Sequence, residues 1–227
     1  MLIGGLQKCS FIDYPGKLAA VLFTQGCNFR CAYCHNPGLI TRRYERPVEP
    51  DEIFALLDRR KGKLSGVVIT GGEPTLHGDL VDLVGRIKEA GYLVKLYTNG
   101  TDPDTLRLLY DLEYLDYVAM DVKSDFATYA GVAGTEVEIV DLVRSIEAIT
   151  ESGVAHEFRT TVATPPHDDD ILRNLAGELR GGAHLYLQAM RPGDILDPGK
   201  GYQPPDMDWL KAIATEIDET ILPCSVR

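Results

Sequence analysis

The chain has 227 residues, of which 44% are hydrophobic and 25% charged, as in a globular protein rather than a disordered or fibrous one. Its 34 acidic side chains outnumber 23 basic ones, and the net charge of −11 argues against a nucleic-acid partner, whose phosphates the chain would repel. No apolar run reaches the roughly 20 residues of a membrane-spanning helix, and the N-terminus lacks the pattern of a secretory signal, so we expect a cytoplasmic protein without a membrane partner.

Short apolar runs, rich in β-branched or aromatic residues, recur along the chain and predict strands that are buried on both faces. The predicted strands are Leu18–Thr24, Gly66–Thr70, Tyr92–Thr98, Tyr117–Val122, Glu157–Ala163 and Ala183–Met190. Amphipathic patterns between the strands predict helices. One helix opens at Pro50-Asp51, and the others span Asp79–Ala90, Asp102–Leu112, Val137–Ser152 and Asp168–Arg180, of which Val137–Ser152 is the longest.

Six strands that alternate with helices predict an α/β fold with a parallel sheet and right-handed crossovers. A complete barrel of eight such units usually needs about 250 residues, so an incomplete barrel of six units fits this chain better. Whether such a sheet stays open or curls toward a barrel, ligand-binding groups lie in the loops that follow the strands. The residues after each predicted strand are therefore the candidates for a functional site.

Three of the five cysteines lie in the predicted loop 25–40, directly after the first strand. Their spacing is Cys27-x3-Cys31-x2-Cys34, and thiolates this close together can hold one soft metal centre. Three ligands are one fewer than a structural zinc site or a 4Fe–4S cluster normally has. The open coordination position is one where a substrate can bind.

Two other interpretations of the cysteine loop stay open at this point. His35 could complete a zinc site, although zinc motifs usually separate their ligands by more residues. The three cysteines could also be buried without any common ligand. The remaining two, Cys9 and Cys224, have no cysteine near them in the sequence and are interpreted as plain thiols, since an odd cysteine count argues against a disulfide framework.

The cysteine spacing, with the aromatic Tyr33 before the last cysteine, resembles the signature of radical S-adenosylmethionine (SAM) enzymes. The resemblance covers nearly the whole chain and implies that Cys27, Cys31 and Cys34 hold a 4Fe–4S cluster whose fourth iron is chelated by SAM, with Tyr33 among the residues that bind SAM. It also implies a partial (β/α)6 barrel with parallel strands. We expect one such domain over residues 1–227, with no second cluster domain.

Two turns at the ends of later strands carry polar residues that fit this resemblance. Gly71-Gly72-Glu73-Pro74 follows the second strand, where glycines allow close approach of a ligand and a carboxylate can accept hydrogen bonds from an ammonium group. It resembles the family motif that binds the amino group of SAM. Thr98-Asn99 ends the third strand and is assigned to cofactor binding in the same way, although Asn99-Gly100 is also a common turn pair.

Asp121 and Lys123 end the fourth strand and point to the same side of it, because they are two residues apart. Charged side chains in an apolar strand are costly unless they are paired or bound to a ligand, so a structural ion pair is the alternative. By resemblance they match an Asp-x-Lys motif that contacts SAM, and they are our candidate catalytic residues. Tyr97 stands where some relatives have an acidic residue that helps to hold a monovalent cation, so we do not predict that cation site.

Arginines near the last two strands complete the candidate site. Arg159 in the fifth strand and Arg191 just after the sixth could bind the cofactor carboxylate, since a guanidinium group matches a carboxylate in a bidentate way. Either could instead be a surface arginine. The first 48 residues hold six basic and two acidic side chains, which suggests an anionic neighbour for this segment or simply a solvated surface.

The motifs around the cysteines narrow the resemblance. Asp13-Tyr14-Pro15-Gly16, Phe23 to Cys27 and Cys34-His35-Asn36-Pro37 resemble activating enzymes of glycyl radical enzymes, most of all those of anaerobic ribonucleoside-triphosphate reductase. The resemblance implies reductive cleavage of SAM to a 5′-deoxyadenosyl radical, which abstracts a hydrogen from a glycine Cα of the partner enzyme, and a flavodoxin- or ferredoxin-type electron donor. The rival functions are a radical SAM enzyme acting on a small molecule and a non-enzymatic zinc-binding interaction protein.

Overall fold

The computed structural model describes residues 1–40 and 47–227. Its strands form a single sheet of eight, in which the order in space follows the order in the chain. The first strand is antiparallel to the second, and all later neighbours are parallel. The strands are β1 (Ile3–Ser10), β2 (Ala19–Thr24), β3 (Gly66–Gly71), β4 (Leu93–Thr98), β5 (Tyr117–Asp121), β6 (Ala155–Val162), β7 (Leu185–Ala189) and β8 (Cys224–Val226).

Helices follow the parallel strands, as the alternating pattern predicted. They are α1 (Pro37–Ile40), α2 (Pro50–Arg59), α3 (Leu80–Glu89), α4 (Pro103–Asp111), α5 (Tyr129–Ala133), α6 (Ile139–Glu151), α7 (Asp169–Glu178) and α8 (Met207–Thr220). All six predicted strands are confirmed as β2 to β7, and the sheet stays open between β1 and β8 as a partial barrel. Among the described helices, α8 is longer than α6, so the expectation that Val137–Ser152 is the longest was wrong.

Successive residues of each parallel strand pack on opposite faces of the sheet. Val67 and Ile69 of β3 belong to the large apolar core between the sheet and its helices. Val68, between them, belongs to a small inner cluster on the other face, together with Tyr14 and Tyr97. Burial on both faces explains why these strands read as continuous apolar runs.

A buried ionic group occupies the inner face of the barrel near the start of the strands. Lys95 and Glu157 are both fully buried, and Lys95 Nζ lies 3.1 Å from Glu157 Oε1. Tyr117 donates to Glu157 Oε2 at 3.0 Å, and Arg227 lies 3.3 Å from both carboxylate oxygens. Burial lowers the pKa of Lys95 to about 8, against the opposing attraction of Glu157. This group closes one end of the barrel, so the space for a ligand lies toward the ends of the strands.

Five helices and strands were not predicted: β1, β8, the short helices α1 and α5, and α8. The β1 segment contains two glycines and polar Gln7 and Lys8, which favour strands weakly, and β8 has only three residues. The pattern for α8 is present in the sequence, with apolar residues at 210, 213, 214 and 217 and with Asp206 accepting from the backbone N–H groups of residues 208 and 209. This helix was not predicted because it lies beyond the six strands and the helices between them that the alternating pattern identified.

Three of the six basic side chains of the N-terminal segment, Arg42, Arg43 and Arg46, lie outside the described residues. Within the described ranges, none of the helices is long and apolar enough to span a membrane.

Candidate active site

A cavity of about 220 Å³ lies at the carboxyl ends of the strands, where the barrel topology predicts ligand binding. Loops or ends of five successive strands, β2 to β6, contribute to its lining. Twelve of the predicted site residues line it: Cys27, Cys31, Tyr33, Cys34, Gly71, Gly72, Glu73, Thr98, Asn99, Asp121, Lys123 and Arg159. Pro74 is buried next to the lining, and Arg191 is exposed outside it.

The cysteine loop is held in place by backbone hydrogen bonds at both ends. Gly26 N–H donates to Leu39 at 2.7 Å, and Arg30 N–H donates to Ala133 at 2.7 Å. Because the loop has little regular structure of its own, these contacts with neighbouring segments determine where its thiols point. Burial raises the pKa of Cys27 to about 12 and that of Cys31 to about 11. The free thiols are therefore protonated at neutral pH, and loading of a metal centre would release their protons.

The arrangement of the thiols bears on the zinc interpretation. Thiolates that share one tetrahedral zinc, with Zn–S distances near 2.3 Å, lie roughly 3.8 Å apart. Over residues 1–40 and 47–227, no three His, Cys, Asp or Glu side chains are placed to share a single ion. His35 is exposed, and its Nε2 lies 3.4 Å from the backbone nitrogen of Arg191. The three thiols line one cavity, and a sulfur donor set of this kind fits a soft metal centre such as an iron–sulfur cluster.

The two glycines of the Gly71-Gly72-Glu73-Pro74 turn let two backbone segments of the protein meet. Gly72 N–H donates to Thr24 at 2.9 Å, and Glu73 N–H donates to Gly26 at 2.8 Å. A Cβ on Gly72 would lie 1.9 Å from the carbonyl oxygen of Gly26, and Gly71 has a φ of +119°. We expected these glycines to make room for a ligand. In the structure they allow the turn to pack closely against the cysteine loop.

The Glu73 carboxylate is buried and accepts four hydrogen bonds from the protein itself. Oε1 accepts from Thr75 N–H at 3.1 Å and from the hydroxyls of Thr75 and Thr98 at 2.8 Å each, and Oε2 accepts from Asn99 N–H at 2.6 Å. Burial raises the pKa of Glu73, although these hydrogen bonds act in the opposite direction. Glu73 therefore links the turn after β3 to the turn after β4, which the sequence did not reveal.

Asp121, Lys123 and Arg159 form a charged cluster on the cavity wall. Arg159 donates to Asp121 Oδ1 from Nε at 2.9 Å and from a terminal nitrogen at 2.6 Å, and Lys123 Nζ lies 3.2 Å from Asp121 Oδ2. Burial alone would raise the pKa of Asp121, but Arg159 and Lys123 hold it below its usual value. The cluster thus carries two positive charges and one negative charge, and the excess favours a ligand carboxylate.

An aromatic ring supports the cluster from within the barrel. The guanidinium carbon of Arg159 lies 4.1 Å from the centre of the Tyr97 ring, and Lys95 Nζ lies 4.4 Å from it. Tyr97 OH donates to the carbonyl of Asp13 at 3.0 Å. Two side-chain cations of the protein therefore already contact the ring at this position.

Several residues of the site were missed from the sequence. Phe29, Thr70 and Thr161 also line the cavity. Thr161 could have been found, because it is two residues beyond Arg159 on the same face of β6. His167 could not have been found in this way, because its partner is 44 residues away in the sequence. Its Nε2 lies 2.9 Å from the carbonyl oxygen of Lys123, so it supports the backbone of a predicted catalytic residue.

The family model for the radical SAM superfamily matches residues 21–179. The chain belongs to the radical SAM superfamily. Enzymes of this superfamily use a 4Fe–4S cluster and SAM, and these are the cofactors of this chain. The matched range includes the cysteine loop and the Asp121, Lys123 and Arg159 cluster.

Individual relatives agree with the assignment. A putative glycyl-radical enzyme activating enzyme of Methanocaldococcus jannaschii is 34% identical over 202 residues, which cover 86% of this chain and 82% of the relative. A pyruvate formate-lyase-activating enzyme of Clostridium pasteurianum is 30% identical over 215 residues, covering 91% and 87%. The crystal structure of a radical SAM methyltransferase from Sphaerobacter thermophilus shares the fold, with a TM-score of 0.74 at 18% identity, over 96% of this chain and 68% of the other.

Proposed function

We propose that this radical SAM enzyme activates a glycyl radical enzyme by removing a hydrogen atom from a glycine Cα of that partner. The observation that carries the proposal is the single cavity in which the three-cysteine loop faces the Asp121, Lys123 and Arg159 cluster. Two relatives whose names describe such activation match this chain over most of their own length. Reductive cleavage of SAM at the cluster supplies the radical chemistry, and the protein supplies binding and positioning.

The cysteines and the glycine turn are proposed to hold the two cofactors. Cys27, Cys31 and Cys34 bind the 4Fe–4S cluster, because they are the thiols of the cavity and leave a coordination position open. The proposed SAM site is formed by the other predicted lining residues and their neighbours, namely Tyr33, Gly71, Gly72, Glu73, Pro74, Thr98, Asn99, Asp121, Lys123, Arg159 and Arg191. Arg191 has the weakest support, since it is exposed and its nearest tie to the site is its backbone contact with His35.

Lys123 is the proposed ligand for the carboxylate of SAM. Arg159 uses two donors on one oxygen of Asp121, whereas Lys123 has a single, longer contact with the other oxygen. An ammonium group has three donors, so Lys123 keeps hydrogen-bonding capacity for a second carboxylate. Asp121 then orients Lys123 and Arg159 and keeps both charged.

The proposed partner is anaerobic ribonucleoside-triphosphate reductase, and the proposed electron donor is a flavodoxin- or ferredoxin-type protein. The support for this finer assignment is the likeness of the motifs around Tyr14 and Cys34 to activating proteins of that reductase. Anaerobic co-expression with candidate glycyl radical enzymes tests it, with the glycyl radical measured by electron paramagnetic resonance (EPR). A radical in the reductase is the expected result. SAM cleavage without a radical in any candidate would favour the rival, an enzyme acting on a small molecule.

The cluster itself is tested by cysteine substitution. After anaerobic reconstitution, we expect the Cys27→Ala, Cys31→Ala and Cys34→Ala chains to lose the cluster, as measured by iron and sulfide content and by EPR of the reduced protein. The matched controls Cys9→Ala and Cys224→Ala remove cysteines that do not line the cavity, and they should load normally. One tetrahedral zinc and no iron in the anaerobically purified chain would refute the proposal.

A further inference from the structure

Three polar side chains next to the cysteine loop form a closed ring of hydrogen bonds. Asn28 Nδ2 donates to Thr101 Oγ1 at 2.8 Å, Thr101 Oγ1 donates to Asn99 Oδ1 at 2.7 Å, and Asn99 Nδ2 donates to Asn28 Oδ1 at 2.8 Å. The ring joins residues more than 70 positions apart in the sequence. Neither Asn28 nor Thr101 was among the predicted site residues.

The donor and acceptor roles around the ring are mutually consistent. Each amide uses its nitrogen as a donor and its oxygen as an acceptor, and the hydroxyl accepts from one amide and donates to the other. Asn99 Oδ1 also accepts from the backbone N–H of Thr101 at 3.1 Å, which fixes the orientation of that amide. Rotating the Asn99 amide by half a turn would place its NH2 group against that N–H. The Asn99 side-chain oxygen thus accepts two hydrogen bonds from Thr101, and one N–H of its amide nitrogen is used in the ring.

The ring continues into the Glu73 network. Asn99 N–H donates to Glu73 Oε2 at 2.6 Å, and Glu73 N–H donates to the carbonyl of Gly26 at 2.8 Å. The loop after β2, the turn after β3 and the turn after β4 are therefore linked by one continuous set of hydrogen bonds. Asn28 is the member that lies inside the cysteine motif, next to Cys27.

We infer that Asn28 and Thr101 are positioning residues, which fix the cysteine loop against the turn after β4 and so set where the cluster lies relative to bound SAM. The inference rests on the proposed cluster and SAM sites and is independent of the protein partner. The three thiols can load a cluster without the ring, because none of them takes part in it. Cleavage of SAM is more sensitive, since a misplacement of about 1 Å can reduce a rate by about 100-fold.

The test compares Thr101→Val, which is nearly isosteric but removes the hydroxyl, with Thr101→Ser, which retains it. We expect Thr101→Val to keep its iron content and to form 5′-deoxyadenosine at least tenfold more slowly with a chemical reductant. We also expect a weakened change in the cluster EPR spectrum on addition of SAM. Thr101→Ser should remain within about twofold of the unsubstituted chain.

A matched control is Thr105→Val in the same segment. The Thr105 hydroxyl donates to Asp102 at 2.7 Å at the start of α4, is similarly half-buried, and takes no part in the ring. We expect Thr105→Val to retain both cleavage and the EPR change. Asn28→Ala should reproduce the Thr101→Val defect, and the double variant should be no worse than the stronger single variant, because both substitutions break the same ring.

Three results would overturn the inference. The first is normal SAM cleavage with a normal EPR change in Thr101→Val. The second is a cleavage defect in Thr105→Val equal to that in Thr101→Val. The third is loss of iron from both Thr101→Val and Asn28→Ala while Thr105→Val loads normally. All three are measured without a protein partner. An unsubstituted chain that cleaves SAM but activates no glycyl radical enzyme would therefore contradict the proposed function and leave this test intact.

Discussion

Replacement of Gly72 by alanine should disrupt the site through the backbone, although alanine adds only one methyl group. The added Cβ would lie 1.9 Å from the carbonyl oxygen of Gly26, whereas ordinary contacts begin near 3.4 Å. The two backbone segments must therefore separate by about 1.5 Å. The obstructing atom belongs to a backbone that continues directly into Cys27, so rotation of a side chain cannot relieve the clash.

The displacement acts on two hydrogen bonds and on the cysteine loop. One hydrogen bond joins Gly72 N–H to Thr24 at 2.9 Å, and the other joins Glu73 N–H to Gly26 at 2.8 Å. A shift of that size must break at least one of them. Each contributes about 1 kcal/mol net, so we expect the free energy of unfolding to fall by about 1–2 kcal/mol. Because the cluster ligands move with the loop, we also expect 5′-deoxyadenosine formation to fall by about 100-fold.

The assay is the rate of 5′-deoxyadenosine formation with a chemical reductant, normalised to iron content, together with a thermal unfolding curve. Gly78→Ala is the matched control, since a Cβ at that exposed position meets no atom within 4 Å. The control should match the unsubstituted chain in both measurements. Full cleavage activity and unchanged stability in Gly72→Ala would show that the two segments are not packed as closely as described and would refute the reasoning.

The other substitutions address the charged groups. Lys123→Met should retain the fold and iron but lose SAM cleavage, and normal 5′-deoxyadenosine yield would leave only a structural ion pair. Lys95→Met, which leaves Glu157 buried without its nearest cation, should lower the free energy of unfolding by about 3–5 kcal/mol, and adding Glu157→Gln should recover part of that loss in denaturant titrations. Burial raises the pKa of Glu178 to about 7, so the folded state retains a proton that the unfolded state releases, and stability falls as pH rises from about 4.5 to 7. Glu178→Gln, which retains an acceptor for Phe126 N–H, should flatten that decline in melting temperatures measured between pH 5 and 8, and an unchanged slope would contradict the assignment.

Much of the site could be predicted because the barrel converts positions in the sequence into positions in space. Asp121 and Lys123 end a buried strand, and Arg159 lies on the next strand, where its register pairs it with Asp121. Residues at the ends of neighbouring parallel strands meet in one cavity whatever the length of the connecting helices. The strand pattern, the cysteine spacing and the family resemblance together identified twelve residues that line one cavity.

The roles of the polar residues were harder to predict, since they depend on partners that are distant in the chain. The sequence suggested that Glu73 and Asn99 contact a ligand, and it did not reveal that Glu73 also bonds to Thr98 and Asn99 to Asn28, each in another loop. The same limitation applies to the glycines of the turn after β3. The motif shows that the backbone must come close to another group, but the identity of that group emerges only when the loop after β2 is in place.

The hydrogen-bond inventory separates groups that build the cavity from groups that can bind a ligand in it. The Glu73 and Asn99 side chains both bond to neighbouring loops of the protein, so changing them should alter the arrangement of the loops. Lys123 differs, because its ammonium group has one long contact with Asp121 among the described residues and the cluster as a whole keeps an excess positive charge. An anionic ligand is favoured where charge remains uncompensated, and in this cavity that place is beside Lys123. Under the proposed assignments the SAM carboxylate is bound at the end of β5 and the cluster by the loop after β2, and the Asn28, Asn99 and Thr101 ring holds that loop against the turn after β4.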